Sequence, residues 1–253
     1  DFNYIIQKQA LHLLNQLDKV KNYHDRLIGI SAIILVGVSY NDEKNLMIKG
    51  LDHLKKNIKN TLDNFGFPKS RNINSAIFFL KYLILIREWF KESQTEIPDF
   101  IDENIFYLGQ SYAFFWKNIN FDPLFNGNNV SNNNEFDLYL KRLGYSFKNK
   151  DHEYSNYVCL KNKKINLLMD LGSTPAKKFS RKYQAGTLSF EFCTNGKKLF
   201  TNCGYFNEKN LKFCEFSKSS AAHNVLIIDD NSSCKFKRKT NNDFEIKDGT
   251  KIL

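Results

Sequence analysis

The apolar positions of the first half repeat with the period of an α-helix. Leu11, Leu13, Leu14 and Leu17 share a stripe, and Leu27 to Val38 is a nearly unbroken apolar run. Leu46, Leu51, Leu54, Ile58 and Leu62 mark a third helix with lysines on its opposite face. That helix is expected to stop at the breaker Asn64-Phe65-Gly66-Phe67-Pro68. Asn74 or Ser75 is expected to cap a fourth helix running to about Phe90, and a fifth should follow Pro98, from about Ile101 to Trp116. Helices joined by short loops pack as hairpins.

Asn118 to Asn134 is a polar, asparagine-rich stretch with Pro123 and Gly127, expected as a long loop, and Glu135 to Leu143 as a short helix. The pattern then changes. Tyr154 to Leu160 and Ile165 to Leu171 read as strands, and Leu188, Phe190 and Phe192 alternate with polar partners. Asn195-Gly196 predicts a tight hairpin turn into Leu199 to Asn202. Phe213 to Phe216 and Asn224 to Asp229 read as further strands, and Lys235, Lys237 and Lys239 would line one face of another. Helices first and strands later predict an α+β chain of two domains, helical over residues 1–150 and antiparallel β over 151–253.

Composition narrows the function classes only a little. Hydrophobic residues make 42% and charged residues 25% of the 253 positions, as in an ordinary globular protein. The formal charge of +10 favours polyanions as partners: nucleic acid, anionic lipid or acidic polysaccharide. A lysine-rich solvated surface explains the same number. Five cysteines without C-x-x-C spacing indicate neither a zinc module nor a dense disulfide framework, so buried thiols are expected. The longest apolar run is about a dozen residues, short of the roughly 20 a membrane-spanning helix needs, so no transmembrane segment is expected. The chain begins at Asp1 and reads as a fragment. A periplasmic or cell-envelope location is expected if the full-length chain carries a signal peptide, and a cytoplasmic one otherwise.

Three segments carry a family resemblance: Ala185-Gly186-Thr187-Leu188-Ser189-Phe190-Glu191-Phe192, Leu199-Phe200-Thr201-Asn202-Cys203-Gly204, and Ser219-Ser220-Ala221-Ala222-His223-Asn224-Val225-Leu226-Ile227-Ile228-Asp229. In order and spacing they resemble the C-terminal β domain of the heparinase II/III family, in a divergent bacterial subgroup. The resemblance implies an incomplete α/α toroid of helical hairpins followed by an antiparallel β-sandwich-type domain. Asn126-Gly127 sits where the toroid carries a substrate-side loop. It also implies β-elimination on a uronate-containing polysaccharide. That chemistry needs a group to screen the substrate carboxylate, a base for the C5 proton and an acid for the leaving oxygen.

Matched to the family's motifs, the screening pair falls on His24 and Asp25, or on Tyr23 and His24 if the register slips by one. Asp25 would repel a carboxylate, and it equally suits a helix N-cap. Ser75 and Ala76 stand where the family has Tyr-His. A serine hydroxyl is too weak an acid to replace a phenol unless a base lies beside it. Arg71 and Asn72 are candidate sugar or carboxylate contacts; Asn72 to Ser75 equally suit a helix cap. Lys182 and Gln184 replace the family's two β-domain histidines. With Asn202 and His223 they leave one imidazole and two amides where some members bind zinc, so no metal and no cofactor are expected. His223 is either a contact beneath the active site or a hydrogen-bonded core histidine joining two strands. Tyr112, Phe114, Phe115 and Trp116 could stack on sugar, but their helical spacing favours core.

The resulting expectation is a lyase of an acidic polysaccharide. A silent glycan-binding or cell-envelope protein on the same fold is the alternative, because Ser75, Lys182 and Gln184 depart from the family's site. The run Lys235-Phe236-Lys237-Arg238-Lys239 lacks an accompanying nucleic-acid motif, so nucleic acid is not expected as a partner.

Overall fold

The protein is described here by a computed structural model covering residues 2–40, 44–117, 119, 121–129, 134–206, 211–240 and 243–252. The expected helices form: α1 (Phe2–Gln16), α2 (Tyr23–Ser39), α3 (Lys44–Thr61), α4 (Ile73–Glu92), α5 (Asp99–Tyr112) and α6 (Asn134–Arg142). The cap of α2 is Asn22, whose side chain accepts the His24 N–H at 3.0 Å. Asp25 is exposed in the first turn instead, where a carboxylate complements the helix N-terminus. The fifth helix does not stay α-helical to Trp116; Ala113–Lys117 widens into a π-turn.

Contacts gather the chain into two compact units, residues 1–66 with 75–108 and residues 67–74 with 109–253. In the first, α2 and α3 pack closely because glycines line their contact. A Cβ at Gly37 would sit 2.3 Å from the Met47 nitrogen, and one at Gly50 would sit 2.7 Å from an Ile34 side-chain carbon. Leu27, Ile30, Ile33, Ile34 and Leu54 are fully buried there, each contributing about 1.5–3 kcal/mol by leaving water.

The second unit holds a five-stranded antiparallel sheet in sequence order: β1 (Glu153–Tyr154), β2 (Tyr157–Lys161), β3 (Ile165–Asp170), β4 (Phe190–Thr194) and β5 (Lys197–Phe200). Its core joins Phe67, Phe114, Phe115, Phe125, Tyr157 and Leu168. Tyr112, Phe114 and Phe115 are buried, so these rings pack the core and present no sugar platform.

Three strand expectations need correction. Tyr154 to Leu160 is a hairpin, turning at Ser155 and Asn156, which both adopt positive φ. Phe213 to Phe216 lies in a helix, α7 (Leu211–Lys218). Asn224 to Asp229 makes no ladder; it ends in a turn closed by the Ile228–Asn231 bridge, with Asp229 and Asp230 at positive φ. The alternating lysines do lie on a strand, β6 (Cys234–Thr240), paired with β7 (Asp243–Gly249). All five cysteines are free thiols, and only Cys203 is exposed. No helix among the described residues is long and apolar enough to cross a membrane.

Candidate functional site

In the first unit the start of α2 meets α4. The His24 Nε2 lies 3.1 Å from Ser75 Oγ, and the Tyr23 hydroxyl lies 3.4 Å from the same oxygen. The two residues are 51 positions apart, yet both were singled out by motif position alone. Ser75 therefore has a base beside it. The His24 ring is held edge-on to Tyr23, with centroids 4.4 Å apart, and packs on Phe78 at 4.3 Å. An imidazole, a phenol and an alcohol within hydrogen-bond range can pass a proton between them.

The second unit gathers Asn72, Lys182 and Gln184 around the Asn126-Gly127 turn, where both residues adopt positive φ. Asn72 Nδ2 donates to the Asn126 carbonyl at 2.9 Å, and the Gly127 N–H donates to Gln184 Oε1 at 2.9 Å. Only glycine fits at position 127, since a Cβ would lie 2.6 Å from the Lys182 Cβ and 2.9 Å from Asn72 Nδ2. Partial desolvation of the ammonium, then neighbouring Arg181, lower the pKa of Lys182 below the usual lysine value. That is the direction a lysine base would need.

Arg71 lies beneath this turn and is buried, at φ 60°. It donates to Asp170 Oδ1 at 2.5 Å and to the Ser155 and Asn156 carbonyls, and its guanidinium stacks 4.5 Å from the Tyr157 ring centroid. Burial alone would lower its pKa, but Asp170 more than offsets that and keeps the cation charged. Asp170 Oδ2 accepts from Asn126 Nδ2 at 2.6 Å, and that same amide also donates to the Tyr157 hydroxyl at 2.9 Å. Burial, then Asp170, push the Tyr157 phenol far above its usual range. The fork that Arg71 was expected to offer a sugar carboxylate is thus taken up by the protein's own Asp170. Sequence reading missed Asp170; its signal was a carboxylate ending the apolar strand Ile165–Asp170, which must find a cation.

The positions matching the family's zinc ligands are likewise occupied by protein partners. Gln184 Nε2 donates to the Gly204 and Ser217 carbonyls at 2.7 Å each, and Asn202 Oδ1 accepts from the Asn224 N–H. His223 Nε2 lies 3.0 Å from the Ser217 carbonyl, so it carries the proton. Burial lowers the His223 pKa to about 4, partly countered by that bond, which leaves the ring neutral at pH 7. These donors do not fit zinc, and no group of three His, Cys, Asp or Glu among the described residues does. His223 follows a short 3-10 turn (Ser220–Ala222) and lies on no strand, so it joins the α7 end to its own loop.

A second buried carboxylate, Glu191, fixes the neighbouring segment. It accepts from the Leu124 and Asn202 N–H groups at 3.0 Å, from Thr201 Oγ1 at 2.7 Å and from Lys198 Nζ at 3.3 Å.

Residues 147–247 match the family described as heparinase II/III-like, C-terminal. Among solved structures the chain is similar to heparinase III, with 14% identity and a TM-score of 0.71 over 92% of this chain and 43% of that one. It is also similar to a mutant of the heparan sulfate lyase HepC from Pedobacter heparinus, with 14% identity and a TM-score of 0.73 over 94% and 43%. A third likeness is to the heparinase III BT4657 gene product, with 16% identity and a TM-score of 0.71 over 92% and 41%. The chain therefore spans less than half the length of these structures. No curated protein sequence matches it.

Proposed function

We propose that this chain, whose residues 147–247 match the heparinase II/III-like C-terminal family and whose fold is similar to that of heparinase III, is part of a polysaccharide lyase that acts by β-elimination on a uronate-bearing acidic polysaccharide. In this reaction a base removes the proton at C5 of the uronate, the C4–C5 double bond forms, and the C4–oxygen bond breaks as an acid protonates the departing glycosidic oxygen. The observation that carries the reading is the cluster of His24, Ser75 and Tyr23. Its 3.1 Å and 3.4 Å contacts put a base and a phenol on one hydroxyl.

We assign proton transfer to His24 and Tyr23, with Ser75 relaying between them. Lys182, exposed beside the Asn126-Gly127 turn, binds an anionic group of the glycan, and Asn72, buried with its Nδ2 on the Asn126 carbonyl, positions that turn. Arg71, Gln184 and His223 act as positioning residues, because their polar atoms are engaged by the protein itself. Asp25 serves the helix rather than the proton, since it is exposed in the first turn of α2.

The test is a spectrophotometric screen of the full chain against a panel of uronate polysaccharides, following the ultraviolet absorbance of the unsaturated uronate. His24→Ala is expected to abolish the signal. Tyr23→Phe and Ser75→Ala are expected to lower the rate by about 10²-fold or more, the usual size of an acid–base contribution. Glycan binding without any absorbance change across the panel would sink the lyase reading and leave a silent binder.

A further inference from the structure

At the other end of the sheet from Asp170, two hairpin turns lie side by side. The β2–β3 turn is closed by the Asn162 N–H to the Ile165 carbonyl at 2.8 Å, and Asn162 Oδ1 accepts the Lys164 and Ile165 N–H groups, also at 2.8 Å. The β4–β5 turn joins it through the Asn195 N–H to the Lys164 carbonyl at 2.7 Å, and Ile165 pairs with Thr194 in the ladder. Between them opens a cavity of about 440 Å³ lined by Lys117, Lys161, Lys163 and Lys164, and no described residue lining it is acidic. The backbone that carries Lys163 and Lys164 is thus pinned by three hydrogen bonds of the Asn162 turn.

Lys117 also lines an adjoining cavity of about 430 Å³, whose walls include the half-buried rings of Tyr145 and Phe147 together with Lys141 and Asp137, while the Tyr112 ring at the same cavity is itself buried and offers no face. There Asp137 pairs with Lys117 and accepts from the Tyr112 hydroxyl. A strip of ring faces therefore runs, through one shared lysine, into a cluster of cations. Aromatic faces suit the C–H face of a sugar ring, and clustered lysines suit its sulfate or carboxylate groups. Nucleic acid would also be drawn to the lysines. The single adjoining carboxylate and the half-enclosed aromatic cavity favour a sugar unit with its own apolar face.

We propose that this strip is a second binding site for a sulfated or carboxylated polysaccharide, distinct from the Asn72–Lys182 cluster. The two lie at opposite ends of β3, about 17 Å apart along the strand. The site would hold a long chain beyond the segment being processed. The choice of ligand rests on the acidic-polysaccharide reading above; the position of the site does not.

The test measures binding of a sulfated octasaccharide prepared from heparin to the full chain, by calorimetry at several salt concentrations. Single-stranded DNA of matched charge is the comparison. The variants are Lys8→Ala, an exposed lysine of α1, and the triple change Lys161→Ala, Lys163→Ala, Lys164→Ala, whose positions are all exposed. Unchanged far-ultraviolet dichroism and melting of the triple variant check its fold. The expected result is that the triple variant binds the octasaccharide on the order of tenfold more weakly, with the slope of log K against log salt shallower by about two, while Lys8→Ala binds as wild type. Wild-type affinity in the triple variant would overturn the proposal while leaving the lyase reading standing. Tighter DNA binding lost in the same variant would overturn it in favour of a nucleic-acid surface. No octasaccharide binding by the wild type would overturn the proposal and leave the lyase reading to the uronate panel, whereas binding at the lysines with no uronate cleavage across that panel would overturn the lyase reading alone.

Discussion

Around Asp170 the side chains leave no room for change. A Cβ on Gly172 would lie 1.9 Å from Arg71 Cζ, and the Gly172 N–H itself donates to Asp170 Oδ1 at 2.8 Å. Gly172→Ala must therefore displace a buried guanidinium from its carboxylate. The expected cost is about 3 kcal/mol, read as a lower urea midpoint without a change in slope. His223 makes stability depend on pH. Its pKa lies near 4 in the folded chain against 6.5 for a free histidine, so below pH 6.5 the unfolded chain takes up more protons. The stabilisation is whole above that pH and is lost as the pH falls toward 4, up to about 3 kcal/mol. Urea midpoints of wild type and His223→Gln at pH 7 and pH 4.5 would test this; the variant should show a flatter dependence. The motif positions singled out His24 and Ser75 separately, and their 3.1 Å contact emerged only from the fold. The partners of Arg71 were not legible, because a hydrogen bond across 99 residues leaves no local spacing to read.

Helices were more legible than strands, for a physical reason. The 3.6-residue stripe of α3 repeats over 18 residues, whereas each strand has at most seven. Short runs are decided by their neighbours. Ser155-Asn156 turns the chain without a glycine, so the hairpin of β1 and β2 looked like one strand. Phe213 to Phe216 is too short a run to fix a period, and its two phenylalanines, three positions apart, are exposed on α7. The Asn195-Gly196 turn, by contrast, announced itself, with φ of 47° and 76°. This difference can be tested: replacing Ser155-Asn156 by Asn-Gly should stabilise the chain by about 0.5–1 kcal/mol, because both positions need positive φ. An unchanged or lower melting temperature would show that the turn tolerates its present residues without strain.

At the scale of the whole molecule, the order of helices and strands could be read from the sequence, since the hydrophobic period changes visibly. The grouping of the chain into units could not, because residues 67–74 join the later part of the chain while residues 75–108 join the earlier part. This has a consequence in time. Arg71 leaves the ribosome 99 residues ahead of Asp170, which at typical synthesis rates of 5–20 residues per second is a delay of about 5–20 s. Through that interval a cation destined for the interior has no carboxylate to meet. The second unit can therefore close around Arg71 only after β3 has been made, however early the helices of the first unit have formed.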